Sequence, residues 1–203
     1  MDLGTIFRSV TAQLTDQQST LNEADDYNHD HGDHMVQIFN LIQDAVSQKS
    51  EQPIPEQLSY ASQMVEKEAE NGSSKLYAQG LANAAKNFHG SELQPDNLGS
   101  LVKGLLNVEE EPSQIEESNL LGSLLSGLIG KKESTEDKQN VGIDELLRAG
   151  MAFYEAKQDG SSTTDALIGA LLSSSPLGQS KHRSMSGSLV ASTIMDFAKS
   201  FNN

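Results

Sequence analysis

Thirteen residues from Glu23 to Met35, EADDYNHDHGDHM, concentrate the groups that could do chemistry. They include five acids (Glu23, Asp25, Asp26, Asp30, Asp33) and three of the chain's five histidines (His29, His31, His34). Carboxylate oxygens are hard donors and suit Mg²⁺. Imidazoles suit Zn²⁺ or Ni²⁺, or hydrogen-bond a phosphate. Massed negative charge in a loop repels itself unless a cation or a cationic partner compensates it. A catalytic zinc needs three well-spaced ligands and an open position, and His29, His31 and His34 do not form the helical His-x-x-x-His pair. The alternative is a plain acidic, solvated loop.

The elements that must position this stretch are helices. Leu3, Ile6, Phe7, Val10 and Leu14 fall on one helix face, and so do Met35, Ile38, Phe39, Ile42 and Val46. Further stripes are Leu76, Leu81 and Ala84; Ile143, Leu147, Met151 and Tyr154; and Val190, Ile194, Phe197 and Phe201. This three-and-four spacing is that of amphipathic helices. Strand alternation is missing, aromatic residues make up 5% and there is no Trp, which disfavours sheet. The spacing predicts about eight or nine helices of the lengths usual in bundles. Pro55 and Pro95 suit helix starts, Pro53 keeps the preceding residues extended, and Gly90 suits a helix end. Ser161, Ser162 and Thr163 suit the cap of a helix beginning near Asp165.

Length and charge narrow the function classes. A chain of 203 residues makes one domain, 1–203, with room for a sizeable core. Fourteen Lys and Arg against 29 Asp and Glu give a net charge of −15, which repels nucleic-acid backbones and anionic lipid heads. The expectation is a protein with no nucleic-acid and no membrane partner. Cysteine is absent, which excludes disulfides, thiolate metal sites and cysteine nucleophiles. The first residues, MDLGTIFRSV, lack the pattern of a signal peptide, so a cytoplasmic protein is expected. Residues 108–140 read as an insert: an acidic start, an apolar LLGSLLSGLIG, and a polar KKESTEDKQN. The apolar part echoes Leu98–Leu106, LGSLVKGLL, but one echo is no repeat architecture. It is either a helix of like composition or an amphipathic helix that docks on a partner.

Asp30-His31-Gly32-x-x-Met35 resembles the Asp-x-Asp-His-Gly-x-Asn-Met signature of the DhaL-type nucleotide-binding domain of dihydroxyacetone kinases. In that family, aspartates spaced five and then two apart hold magnesium on the nucleotide phosphates. By this resemblance the metal ligands are Glu23, Asn28 and Asp30, with the first two standing where the family has aspartate, and His31 contacts phosphate. Asn28 keeps an oxygen donor but loses a charge. Glu23 is one methylene longer. Asp25, Asp26 and Asp33 are nearby carboxylates that could substitute. Asn71-Gly72-Ser73-Ser74-Lys75-Leu76-Tyr77 is similar to the family's Gly-Gly-(Ala/Thr)-Ser-Gly-Pro-Leu-Tyr loop, so Gly72, Ser73 and Ser74 are implied to cradle phosphate. Gly160 to Leu167 resembles a third family turn, which brings in Ser162 and Asp165. Leu177-Gly178 and Arg183-Ser184 resemble a Leu-Gly-Glu-Arg-Ser loop with three extra residues between, and the usual following Asp-Pro-Gly is absent. That match adds Arg183, with Lys181 beside it, as a phosphate contact. The four matches run in the family's order along the whole chain outside the insert.

The resemblance implies an all-α barrel or bundle of about eight antiparallel amphipathic helices with the nucleotide at one end. It further implies ADP or ATP and Mg²⁺ as cofactors. The expected function is that of a phosphotransferase component which passes a phosphoryl group to a small hydroxy-ketone held by an acceptor-binding protein subunit. A homodimer is among the expected assemblies. The contrasting expectation is a non-catalytic relative that keeps the helices, has impaired metal binding, and serves as a binding or regulatory module.

Overall fold

A computed structural model of the chain describes residues 2–69, 71–88, 93–107 and 163–200. Among these residues all regular structure is helical, with no strand. The α-helices are α1 (Leu3–Asp16), α2 (Gln18–Glu23), α3 (His31–Gln48), α4 (Ile54–Glu68), α5 (Gly72–Asn87), α6 (Pro95–Leu105), α7 (Thr163–Ser173) and α8 (Lys181–Ser200). A short 3₁₀ turn, Pro176–Gln179, joins the last two. The stripe at Ile143–Tyr154, the insert at 108–140, Gly90 and Ser162 lie outside the described residues.

The expected faces are the buried ones. Leu3, Ile6, Phe7, Val10 and Leu14 of α1 and Met35, Ile38, Phe39, Ile42 and Val46 of α3 are all at most 1% exposed. At the centre Phe39 packs between Phe7, with ring centroids 6.2 Å apart, and Tyr77, at 5.1 Å with its ring nearly perpendicular. Such tilted arrangements are the favoured aromatic geometry. α1 packs on α3, α3 on α4, α4 on α5, α5 on α6, α6 on α8, and α8 back on α1; α7 lies on α8. α5 and α6 cross closely because Gly80 and Gly104 have no side chain: a Cβ on Gly104 would come within 2.5 Å of the Ala84 Cα. Pro95 is the first residue of α6 and Pro55 lies in the first turn of α4, where neither removes a helix hydrogen bond.

The start of α3 is capped from another helix. Its own N-cap residue, Asp30, makes no side-chain cap bond. Instead the Asn22 Oδ1 on α2 accepts from the Gly32 N–H at 2.6 Å and the Asp33 N–H at 3.2 Å. The Asn22 amide then donates to Asp33 Oδ1 at 2.9 Å, and the Gln18 amide donates to the same oxygen at 2.7 Å. Gly32 makes this possible, since a Cβ there would collide with the Gln18 carbonyl of α2. Two otherwise orphaned helix N–H groups are thereby satisfied. Asn22→Ala is expected to lower stability by about 1–2 kcal/mol, the range for loss of a helix cap, in urea unfolding followed by circular dichroism.

Candidate functional site

A cleft of about 240 Å³ opens where three helices begin. His31 starts α3, Gly72 starts α5 and Lys181 starts α8. Asp25, Tyr27, Asn28, Asp30, His31, His34, Asn71, Gly72, Ser73, His182 and Arg183 line the cleft, so four separate stretches meet there.

Helix starts carry partial positive charge and unpaired N–H groups. At α3 those of Gly32 and Asp33 are taken by Asn22. At α5 the Asn71 side chain accepts from the Ser74 N–H at 2.8 Å, and the Ser74 hydroxyl accepts from the Asn71 N–H at 3.1 Å, a reciprocal capping box. The N–H groups of Gly72 and Ser73, which lie between the two partners of that box, are the donors the helix itself does not use. Arg183 lies across this helix start: a Cβ on Gly72 would be 2.8 Å from its Nη2. The Arg183 Nε is buried and has no hydrogen-bond partner among the described residues. An anion is the ligand that such a set of donors suits.

The opposite wall carries carboxylates and imidazoles. Asp25 is buried, 4% exposed. Burial opposes its ionisation, but the Tyr27 N–H, which donates to it at 3.2 Å, together with His182, the Asp30 N–H and His31, holds its carboxyl below the usual range. The His182 Nδ1 is 3.7 Å from Asp25 Oδ1. Asp30, half exposed, faces His34 Nδ1 at 3.2 Å, one helix turn on. His31, 3% exposed, has its Nε2 2.9 Å from the Ser186 hydroxyl and its ring 4.6 Å from that of His182. The Ser186 hydroxyl also lies 3.1 Å from the Arg183 carbonyl, to which it can donate. Between Asn28 and Asp30 the chain turns through His29, whose φ of 58° is in the left-handed region that non-glycine residues enter at a cost.

Of the residues expected from sequence, the cleft gathers Asn28, Asp30, His31, Gly72, Ser73 and Arg183. Ser74 lies beneath it, fully buried and occupied in the α5 cap, where its hydroxyl also meets the Ala69 carbonyl at 2.7 Å. Glu23 is exposed at the end of α2 and does not line the cleft. Asp165 is exposed in the first turn of α7, away from the lining. Ser162 lies outside the described residues. Asp26 is exposed, and Asp33 is held by Gln18 and Asn22. Of these neighbouring carboxylates, Asp25 is the one that lines the cleft. His182 escapes sequence reasoning: its only signal is adjacency to Arg183.

Among the described residues, no three His, Asp or Glu side chains are grouped to hold a metal ion. The oxygen donors facing the cleft are the carboxylates of Asp25 and Asp30 and the amide of Asn28. That set fits Mg²⁺ in its usual protein setting, where one or two carboxylates bind it and substrate phosphates and water complete the shell. No family model, curated protein or solved structure matches the chain.

Burial drives the His31 pKa from 6.5 down to about 4, with His182 adding to the fall, Asp25 opposing it, and Arg183 and His34 contributing further to the fall. The unfolded chain therefore takes up a proton between pH 6.5 and 4 that the folded chain refuses. This contribution to stability is complete above pH 6.5 and is lost as pH falls towards 4. Between pH 7 and pH 5 the wild type is expected to lose on the order of 1 kcal/mol more stability than His31→Gln, measured as urea midpoints at the two pH values.

Proposed function

We propose that the chain is the nucleotide-binding component of a phosphotransferase. It takes Mg–ADP or Mg–ATP in the cleft at the helix starts. The phosphoryl group passes to a small hydroxy-ketone held by a partner protein subunit in the cytoplasm. One observation carries the reading. His31, Gly72, Ser73 and Arg183 come from three stretches that resemble the dihydroxyacetone kinase nucleotide domain in the same order, and they meet around one cleft.

The geometry supports a role for each residue. Gly72 and Ser73 N–H groups at the start of α5 face phosphate oxygens, and Gly72 leaves room for the Arg183 guanidinium beside them. Arg183 neutralises charge that builds on the transferring group. Phosphoryl transfer depends on such positioning and electrostatic neutralisation more than on covalent chemistry by the protein. Asp30 and Asn28, with Asp25 behind them, offer oxygens to magnesium, which when bound would offset the phosphate charge. His31, which burial keeps neutral down towards pH 4, packs against His182 and gives the cleft a wall without adding net charge.

The position of Glu23 favours a second reading. It is exposed and outside the cleft, so the family's first metal carboxylate has no direct counterpart there. A relative with impaired metal binding that serves as a binding or regulatory module would look the same. Calorimetric titration with ADP, with and without Mg²⁺, separates the two. The phosphotransferase reading expects magnesium-dependent binding that weakens about tenfold or more in Asp30→Ala and in Arg183→Ala. Binding that ignores magnesium and is unchanged in Asp30→Ala supports the second reading. No binding at millimolar ADP removes the first.

A further inference from the structure

Ser180 has an unusual use for a residue at its position. It immediately precedes α8, and its carbonyl accepts the Ser184 N–H at 2.9 Å, the first bond of that helix. A serine there normally turns its hydroxyl onto the N–H two or three residues on. Here the hydroxyl makes no such cap. Among the described residues its hydrogen-bond partner is His182 Nε2, at 3.3 Å. The other ring nitrogen of His182, Nδ1, faces Asp25 Oδ1 at 3.7 Å. Asp25 is buried and fixed by the Tyr27 N–H. Hydroxyl, imidazole and buried carboxylate thus stand in the order that activates a nucleophile, with the base oriented by a third group. The imidazole–carboxylate separation is long for a hydrogen bond, as is common before substrate binds.

The surroundings suit the charge such a nucleophile creates. Ser180 and His182 are both partly exposed, so a small molecule reaches them. Arg183 lines the cleft together with His182, and its Nε is buried with no hydrogen-bond partner among the described residues. Positive potential at that place stabilises an oxyanion.

We propose that Ser180 is a nucleophile towards small carboxylic esters, with His182 as its general base and Asp25 as the positioning residue. This inference goes beyond the nucleotide reading: Asp25 and Arg183 line the same cleft, but neither nucleotide nor metal takes part in the step or in its test. Ser180 Oγ attacks the ester carbonyl carbon, and its proton passes to His182 Nε2. The carbon–oxygen bond to the alcohol breaks, and the leaving alkoxide takes that proton from His182. Water, deprotonated by His182, then attacks the acyl-serine, releases the carboxylic acid and returns the hydroxyl to Ser180. His182 and Asp25 line the cleft of about 240 Å³, which limits the ester to a small one.

The test uses the full chain and two probes, p-nitrophenyl acetate and an alkyl fluorophosphonate. The expected result is a burst of p-nitrophenol and one fluorophosphonate adduct per chain, mapped to Ser180 by peptide mass spectrometry. Ser180→Ala gives neither, while Ser188→Ala, at an exposed serine two turns along α8, labels like the wild type. His182→Ala slows labelling about a hundredfold, and added imidazole restores part of the rate, which a purely structural role for His182 would not allow. Asp25→Asn slows labelling and Asp25→Glu recovers part of it. Circular dichroism confirms that each variant is folded. Absence of an adduct on Ser180 in the folded wild type overturns the proposal, and so does labelling as fast in His182→Ala as in the wild type.

Discussion

Asn22 belongs to α2, yet its side-chain oxygen takes the N–H groups of Gly32 and Asp33 at the start of α3. That contact fixes where the long helix begins and how far the loop before it can travel. The loop has only residues 24–30 in which to leave α2 and enter α3. It closes by placing His29 in the left-handed region and by turning Asp25 inward, where the Tyr27 N–H meets the carboxylate. Gly32 is part of the same constraint, since any side chain there would strike α2. Once buried, Asp25 faces the imidazole of His182 on α8, with Nδ1 3.7 Å from its Oδ1. The cleft depends on this junction more than on any residue that lines it.

The chain's overall charge and the cleft's local character point in opposite directions. A net charge of −15 repels polyanions at a distance. At short range the balance differs: α5 presents Gly72 and Ser73 N–H groups, and Arg183 lies against them. Salt screens exposed charges beyond about 8–10 Å, so nearby donors decide what the cleft accepts. An acidic surface and a cleft whose donors suit a small anion are therefore compatible. The arrangement disfavours a large polyanion and leaves a small one, such as a nucleotide or the oxyanion of an ester, within reach.

The helices and their inner faces were legible because burial forces a period. The stripes Leu3–Leu14 and Met35–Val46 had to turn one side to the core, and they do. Pro55 and Pro95 marked helix starts for the same local reason: proline lacks the N–H a helix interior needs. The cleft was legible in part, through short loops whose residue order resembled a known family, and Asn28, Asp30, His31, Gly72, Ser73 and Arg183 meet there. Three features were not legible. Which acid of the Glu23–Asp33 run turns inward depends on the Asn22 cap, a contact between two helices that no local pattern encodes. The position of His182 beside Asp25 depends on α8 packing on α1 and α2 across the full length of the chain. The freedom of the Ser180 hydroxyl from helix capping is a side-chain choice, whereas its position in sequence suggests the cap.

If the helix starts around Gly72 and Arg183 receive a small phosphorylated anion, as we propose, their backbone amides must respond to it. The most direct measurement is a two-dimensional ¹H–¹⁵N NMR titration of the isotope-labelled chain with Mg–ADP. The largest shifts are expected on the amides of Gly72 and Ser73, on the His31–Asp33 turn and on Arg183, with α4 and the far ends of α5 and α8 unmoved. Shifts centred elsewhere on the molecule, or a spectrum that does not change at millimolar Mg–ADP, would contradict it.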